Sequence, residues 1–452
     1  MGRWSLDHRR ARPGRRPEAD GRRLESLQPS ARSVAPPAGA RTDAQDALAR
    51  AHHDEWARVV ATIARRFGNL DTAEDASAEA FATAAERWPV EGIAPNPGAW
   101  LTTTASRKAI DRIRRESSRD ARHREAQLVF DADAEPLGVI DDDRLRLIFI
   151  CCHPALAIEA RVVTTLRMVG GLSVPKIARA FLVQDTTMGA RITRAKAKIA
   201  TARIPYRVPA AEDLPDRLSG VLAVLFLIFN EGYLASGPDT APVREELSGE
   251  AIRLARLLHG VLPDDGEVTG MLGMLLLSDA RRSARVSSAG ELVPLAEQDR
   301  GLWDVAQISE GHPLVRERLA SGVAPGRYQL LAVINAVHTD GDATDWMQVV
   351  ALYDQLVRLD GSPIVRLNQA IAVGERDSLE AGLALIDDLE SALAGYHSHH
   401  AARAHLLRRL GRATASREAY DAAISLAGNA AEIAFLTRRR DQARPEDNGR
   451  CG

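Results

Sequence analysis

The chain is short of cysteine, of aromatic residues and of long apolar runs. Its three cysteines, Cys151, Cys152 and Cys451, give no disulfide framework. The adjacent Cys151 and Cys152 are expected to be reduced and buried, as in a cytoplasmic protein. The longest apolar run, Val221 to Phe229, falls far below the roughly 20 residues that cross a bilayer. The Arg-rich start carries no apolar segment of the secretory kind, so no export signal is read there. Together these absences exclude a disulfide-stapled scaffold and a helical membrane protein. Net charge is only −2 over 452 residues, so any nucleic-acid affinity must come from local patches rather than from the sum. Neither a Gly-rich phosphate loop, a nucleophile elbow nor a paired catalytic acid is found. No catalytic residue, cofactor or resident metal is therefore expected.

What is abundant is Ala, Leu, Arg, Glu and Asp, a mixture that favours helices over sheets. The expectation is an all-α protein. Residues 1–42 are rich in Arg, Pro, Gly and Ser without apolar periodicity, and read as a disordered basic tail. Helical spacing starts near Ala47, with Trp56, Val59, Val60, Ile63, Ala64 and Phe67 on one face until Gly68 and Asn69 stop it. Asp71 is the expected cap of a second helix, with Glu74 completing a capping box and Pro89 ending it after Trp88. A third helix is expected over 99–117. The acidic stretch 118–139 reads as a linker, followed by three or four short helices over 140–204. Separate helical bundles are expected at 47–117 and 140–204, and a larger helical body from 213 to 305 and from 325 to 442.

A weak internal repeat lies in the last part. Tyr353-Asp354, Ile386-Asp387 and Tyr420-Asp421 recur at about 33 or 34 residues, the period of paired-helix solenoids of the tetratricopeptide kind. An ordinary helical bundle is the plainer alternative.

Two segments have the character of DNA readers. In AWLTTTASRKAIDRIRRES, Lys108, Arg112 and Arg115 share one helix face, flanked by Arg107 and Arg114. Trp100 opens that helix after a Pro/Gly loop, and an aromatic beside a basic stripe can hold an unstacked base. A solvated helix could show the stripe alone. In GLSVPKIARAFLVQDTTMGARITRAKAKI, Ser173 can cap one short helix, Leu182 to Gln184 make a turn, and Asp185 can cap a second. This is a helix-turn-helix pattern. Its second helix would direct Thr186, Thr187, Met188 and Arg191 at base edges, and Arg194, Lys196 and Lys198 at phosphates.

Two DNA readers joined by an acidic linker resemble the extracytoplasmic-function class of sigma-70 RNA polymerase sigma factors. LDTAEDASAEAFATAAERW at 70–88 is similar to the region-two helix that docks on core polymerase. The resemblance implies that Asp71, Glu74, Asp75, Glu79 and Phe81 meet the polymerase, that helix 99–117 reads the −10 element, and that 173–199 reads the −35 element. LRLIFICCHPAL, RAKAKIATARIPYRVP, FLIFNEGYLAS and RAHLLRRLGR resemble a subgroup with a long, tetratricopeptide-like C-terminal extension. The implied partners are core RNA polymerase and promoter DNA, with a protein or peptide partner for the repeats and no membrane. A helix-turn-helix regulator with a helical sensor domain is the alternative. Pro175 departs from the acidic or polar residue usual in that motif.

Three further groups invite attention. Cys151-Cys152-His153 is read as buried structure rather than zinc, because adjacent cysteines rarely face one metal. His397 and His400 would share a helix face with His399 pointing elsewhere, and packing is the expected role. Asn230, Glu231 and Tyr233 follow an apolar run; a structural network of buried polar groups is the plainer reading, and a regulatory contact between the extension and the sigma core is the sharper one.

Overall fold

The computed structural model describes residues 38–120, 142–181, 183–210, 212–235, 243–287, 290–341 and 343–443. Among the described residues all regular structure is helical, apart from one isolated antiparallel bridge between Val286 and Leu292. The all-α expectation holds.

Three helices open the fold: α1 (Ala38–Phe67), α2 (Leu70–Glu91) and α3 (Pro97–Asp120). Helix α1 begins before the expected Ala47, within the stretch read as a tail. Its Trp56, Val59, Val60, Ile63 and Ala64 are buried, as their spacing requires. Gly68 closes it at φ 65°, with its N–H on the Ala64 carbonyl at 2.8 Å. The cap of α2 is Asn69 and not Asp71: the Asn69 side chain accepts from the Thr72 N–H at 2.9 Å. That substitution of roles releases Asp71 and Glu74 for other partners. Pro89 does not end α2, which absorbs it in the last turn and continues to Glu91. Asn96 then caps α3, accepting from the Ala99 N–H at 3.0 Å.

The next four helices are α4 (Asp143–Cys151), α5 (Ile158–Thr164), α6 (Val174–Ala180) and α7 (Asp185–Thr201), with a π turn at Thr165–Val169. The acidic linker falls mostly on residues 121–141, outside the described residues. Ser173 caps α6 as expected, and Pro175 sits in the first turn, where its missing N–H costs nothing. Asp185 is the first residue of α7 rather than its cap, which is Gln184 without a side-chain bond.

The extension comprises α8 (Leu214–Tyr233), α9 (Glu245–Val261), α10 (Gly266–Asp279), the short α11 (Arg282–Arg285), α12 (Val305–Ala320) and α13 (Arg327–Thr339). Every residue of α10 from Val268 to Asp279 is buried, so this helix is the axis around which α9, α12 and α13 pack. Seven helices follow: α14 (Trp346–Leu359), α15 (Pro363–Arg376), α16 (Leu379–Asp387), α17 (Glu390–Leu393), α18 (His397–Arg409), α19 (Ala413–Leu426) and α20 (Ala430–Gln442). The three repeated dipeptides lie on α14, α16 and α19. Each aspartate accepts from a long side chain further on: Asp354 from Gln369 of α15 at 2.7 Å, Asp387 from Arg403 of α18 at 2.7 Å and Asp421 from Arg440 of α20 at 2.8 Å.

One continuous buried core runs from Ala44 on α1 to Ala372 on α15, and a smaller one from Leu367 to Leu436. The bundles at 47–117, 140–204 and 213–305 were expected to be separate, and here they share that core. The punctuation at Pro205 and Pro209 marks a bend, not a gap in packing. Tyr206 donates its hydroxyl to the Ala61 carbonyl at 2.8 Å, and Arg217 reaches the Phe149 carbonyl at 2.7 Å.

Candidate functional site

The acidic residues of α2 point along the helix as the spacing requires, but toward partners inside the chain. Glu74 is buried. It accepts from Arg167 Nε at 2.6 Å and from Lys196 Nζ at 2.8 Å, so it ties α2 at once to the π turn and to α7. Asp71 adds a second ion pair to Lys196. Burial works to lower the Lys196 ammonium, but its hydrogen bonds to Asp71 and Glu74 outweigh that and hold it above the usual lysine value. Removing one member of such a buried pair strands the other charge, at a cost of about 3–5 kcal/mol. Lys196 was assigned by sequence to DNA phosphates; the structure turns it inward.

The other two acids meet the basic stripe of α3. Asp75 pairs with Arg112 at 2.6 Å and Glu79 with Lys108 at 3.6 Å. Both pairs are half-exposed and therefore weak, worth about 0.2–1 kcal/mol each. Phe81, expected at the polymerase surface, is buried against His52 and Trp56, with ring centroids 5.1 and 5.7 Å away. It is a core residue because a phenyl ring on that face of α2 falls directly under α1. Arg107 and Arg115 remain exposed on α3, with Arg115 Nε on the Asp111 carbonyl at 3.2 Å. Trp100 is half-buried and packs on Trp88 at 5.8 Å between ring centroids.

On α7, Thr186, Thr187, Arg191, Arg194 and Lys198 are all exposed, on the helix that the turn presents outward. Met188 is the exception. It is 0% exposed and fills the core with Ile192, so it cannot face base edges as expected. The i, i+4 spacing to Ile192 was the available signal.

The expected contact from Asn230, Glu231 and Tyr233 to the sigma core is also corrected. Asn230 is exposed, Glu231 pairs with Arg244 at 2.8 Å, and Tyr233 lies under Arg285, whose guanidinium carbon is 3.3 Å from the ring centroid. Glu231 and Tyr233 lock α8 to the start of α9 and to α11. Besides Arg217 of α8, the contact to the sigma core is made by Arg253 of α9. It donates to the His53 carbonyl on α1 at 3.3 Å and to the Val169 carbonyl of the π turn at 3.1 Å, while Glu250 holds its other edge at 2.7 Å. Burial pushes the Glu250 carboxyl up, against the lowering by Arg253. Nearby, Trp56 Nε1 donates to the Met168 carbonyl at 3.1 Å. Gly171, at φ 70°, lies so close to His52 and Trp56 that a Cβ would fall 2.8 Å from each ring. Neither Arg167 nor Arg253 was singled out by sequence, since an isolated arginine in a helical run carries no local signal of its partner.

Cys151 and Cys152 are both buried. Burial raises both thiols, Cys152 to about 11, and Cys152 lies 3.4 Å from the Thr165 hydroxyl. Both are inert packing groups at neutral pH. Among the described residues no helix is long and apolar enough to cross a membrane.

Comparison with known proteins gives this geometry a family. Residues 49–119, which hold both the acidic face and the basic stripe, match sigma-70 region 2. Residues 217–319, from α8 to α12, match a family of unknown function, DUF6596. The uncharacterized protein R00370 of Rhizobium meliloti strain 1021 is 41% identical over 401 residues, covering 86% of this chain and 94% of that protein. The probable ECF RNA polymerase sigma factor SigI of Mycobacterium tuberculosis is 32% identical over 176 residues, 38% of this chain and 59% of its own length. No solved structure matches. The chain thus carries a sigma-70 region 2 domain at residues 49–119, is distantly related to an extracytoplasmic-function sigma factor, and belongs to one family with the Rhizobium protein R00370 over nearly the whole of both chains.

Proposed function

We propose that the protein directs core RNA polymerase to promoters, reading the −10 element with α3 and the −35 element with α7, and that its extension regulates this in cis by bracing a closed arrangement. Glu74 is the observation that carries the reading. A residue of the polymerase-facing helix is bonded at once to the base of the −35 reader, while its neighbours Asp75 and Glu79 cover the basic stripe of the −10 reader. Two readers held against one helix cannot engage two separated promoter elements. Opening must break the Glu74 bonds and release Asp75 and Glu79 for a basic polymerase surface. Arg253 spans α1 and the π turn, so the extension grips both halves of the latch. Helices α14 to α20, with their recurring aspartate bonds, support a tetratricopeptide-like module that could receive a protein or peptide partner. As an initiation factor the chain needs no catalytic residue and no cofactor, because the polymerase performs the chemistry.

Reconstituted transcription with core polymerase tests this. The full chain is expected to give promoter-dependent transcript, and reversal of charge at Asp75 and Glu79 to lower core binding. Arg191→Ala should weaken recognition of the upstream element by about 1–3 kcal/mol. Arg112→Ala should be rescued by a pre-melted promoter and Arg191→Ala should not. Tight binding to duplex promoter without core, and no core-dependent transcript, would instead favour a helix-turn-helix regulator with a helical sensor domain.

A further inference from the structure

Among the described residues, metal-binding atoms converge where α17 meets the first turn of α18. We propose that Glu390, His399 and His400 form a site for one first-row divalent cation of intermediate softness, Zn²⁺ foremost. One ligand atom from each of the three residues lies within 4.8 Å of the other two.

The tautomers favour coordination. His399 is 0% exposed, and its Nε2 lies 3.0 Å from the Ile386 carbonyl. A carbonyl oxygen only accepts, so Nε2 carries the proton and in the neutral ring Nδ1 keeps its lone pair. That Nδ1 is buried without a hydrogen-bond partner and faces the Glu390 carboxylate at 3.8 Å. His400 repeats the arrangement, with Nε2 on the Ala394 carbonyl at 2.8 Å. Each imidazole thus donates one N–H to a backbone carbonyl, the outer-shell bond that orients a metal-binding histidine. A buried acceptor with no donor is destabilising, and a cation would relieve it.

Consecutive helical residues normally diverge. Here they stand in the opening turn of α18, with ring centroids 5.0 Å apart and planes at 80°. Tetrahedral zinc with nitrogen at 2.0–2.1 Å places its ligand atoms about 3.3 Å apart. The remaining closure falls to Glu390, whose side chain is half-exposed on a four-residue helix and is free to change rotamer. Two imidazoles and one carboxylate suit Zn²⁺ or its transition-metal neighbours and disfavour Mg²⁺, which demands oxygen ligands. The fourth position opens on the Glu390 side, to water or to a ligand from a partner. Bound metal would clip α17 to α18, and through the Ile386 carbonyl would fix α16 as well. His397 takes no part, since its Nε2 is engaged with Glu432 at 2.9 Å.

The test uses the full chain, purified without a histidine tag and stripped with chelator, carrying Cys451→Ser to remove the tail thiol. Zinc sulfate alone is titrated by calorimetry, and thermal unfolding is followed with Zn²⁺ or Mg²⁺. One saturable equivalent is expected, with a rise in Tm that Mg²⁺ does not reproduce. Co²⁺ should give the visible absorption of a nitrogen- and oxygen-ligated low-coordinate ion. Glu390→Ala, at an exposed position that leaves the fold intact, should weaken Zn²⁺ binding by about tenfold or more. His399→Gln should abolish the equivalent, and circular dichroism reports whether that variant remains folded. Absence of a saturable equivalent overturns the site. Undiminished binding by Glu390→Ala overturns it equally.

Discussion

At the scale of single residues, the most perturbed histidine is His338 on α13. Burial, reinforced by the charges of Arg281 and Arg300, pulls it down to about 4. Its Nδ1 lies 3.3 Å from the Thr344 hydroxyl and its ring meets Trp346 edge-on at 5.7 Å. The folded chain therefore holds a neutral imidazole where the unfolded chain binds a proton near its ordinary 6.5. The stabilisation this gives is complete above about pH 6.5 and is lost as pH falls toward 4. At about 1.4 kcal/mol per unit, the loss approaches 3 kcal/mol. His52, His312 and His405 are also lowered, chiefly by burial, and steepen the same slope. Glu250 and Glu267 are raised by burial and oppose it. The informative quantity is thus a difference. His338→Gln should lose less stability than the wild type between pH 7 and about pH 4.5 in urea unfolding, and parallel curves for the two would remove His338 from the account.

At the scale of elements, one tight constraint is the crossing of α15 and α16. Gly374 and Gly382 face each other so closely that a Cβ on Gly382 would sit 2.6 Å from the Gly374 Cα and 2.9 Å from the Ala370 carbonyl oxygen. Both obstacles are backbone and cannot swing aside. Gly382→Ala should therefore cost about 1–3 kcal/mol by overpacking, although alanine is the better helix former. A lower Tm with unchanged helical content would be the sign of it, and a Tm equal to or above the wild type would contradict so close a crossing. Element-scale features were also the most legible in the sequence. Helical periodicity located α1 to α3, and Ser173 with Pro175 marked α6, because capping and amphipathicity are local properties. The choice of Asn69 over Asp71 as the cap of α2 was not legible. It depends on Arg167 and Lys196, some 93 and 122 residues away from Glu74, which draw the acids toward themselves. Met188 and Phe81 are a different case, since what covers them is local: α1, the preceding helix, lies over Phe81, and Ile192 shares the buried face of Met188.

At the scale of the whole molecule, the shared core decides what the extension does for the sigma half. Leu218, Val221, Leu222 and Leu225 on α8 and Leu247 and Ile252 on α9 belong to the same buried core as Leu147, Met168 and Val169. The extension is a structural floor for α4 and α5, and in the proposed reading it is also, through Arg253, a brace on the closed arrangement. These two roles predict opposite outcomes when they are disturbed separately. Truncation after Arg207 removes the floor. The shortened chain should expose apolar surface, bind a hydrophobic dye, unfold at lower temperature and lose promoter-dependent transcription several-fold. Arg253→Gln combined with Glu250→Gln leaves the floor in place. It weakens the grip on the His53 and Val169 carbonyls without stranding a buried charge. That double variant should keep its fold and raise transcription, because opening then costs less. The two variants together separate scaffold from brace. A truncated chain that folds and transcribes like the full one would make the extension a passenger. A double variant that folds normally yet leaves transcription unchanged would place control of opening elsewhere than at Arg253.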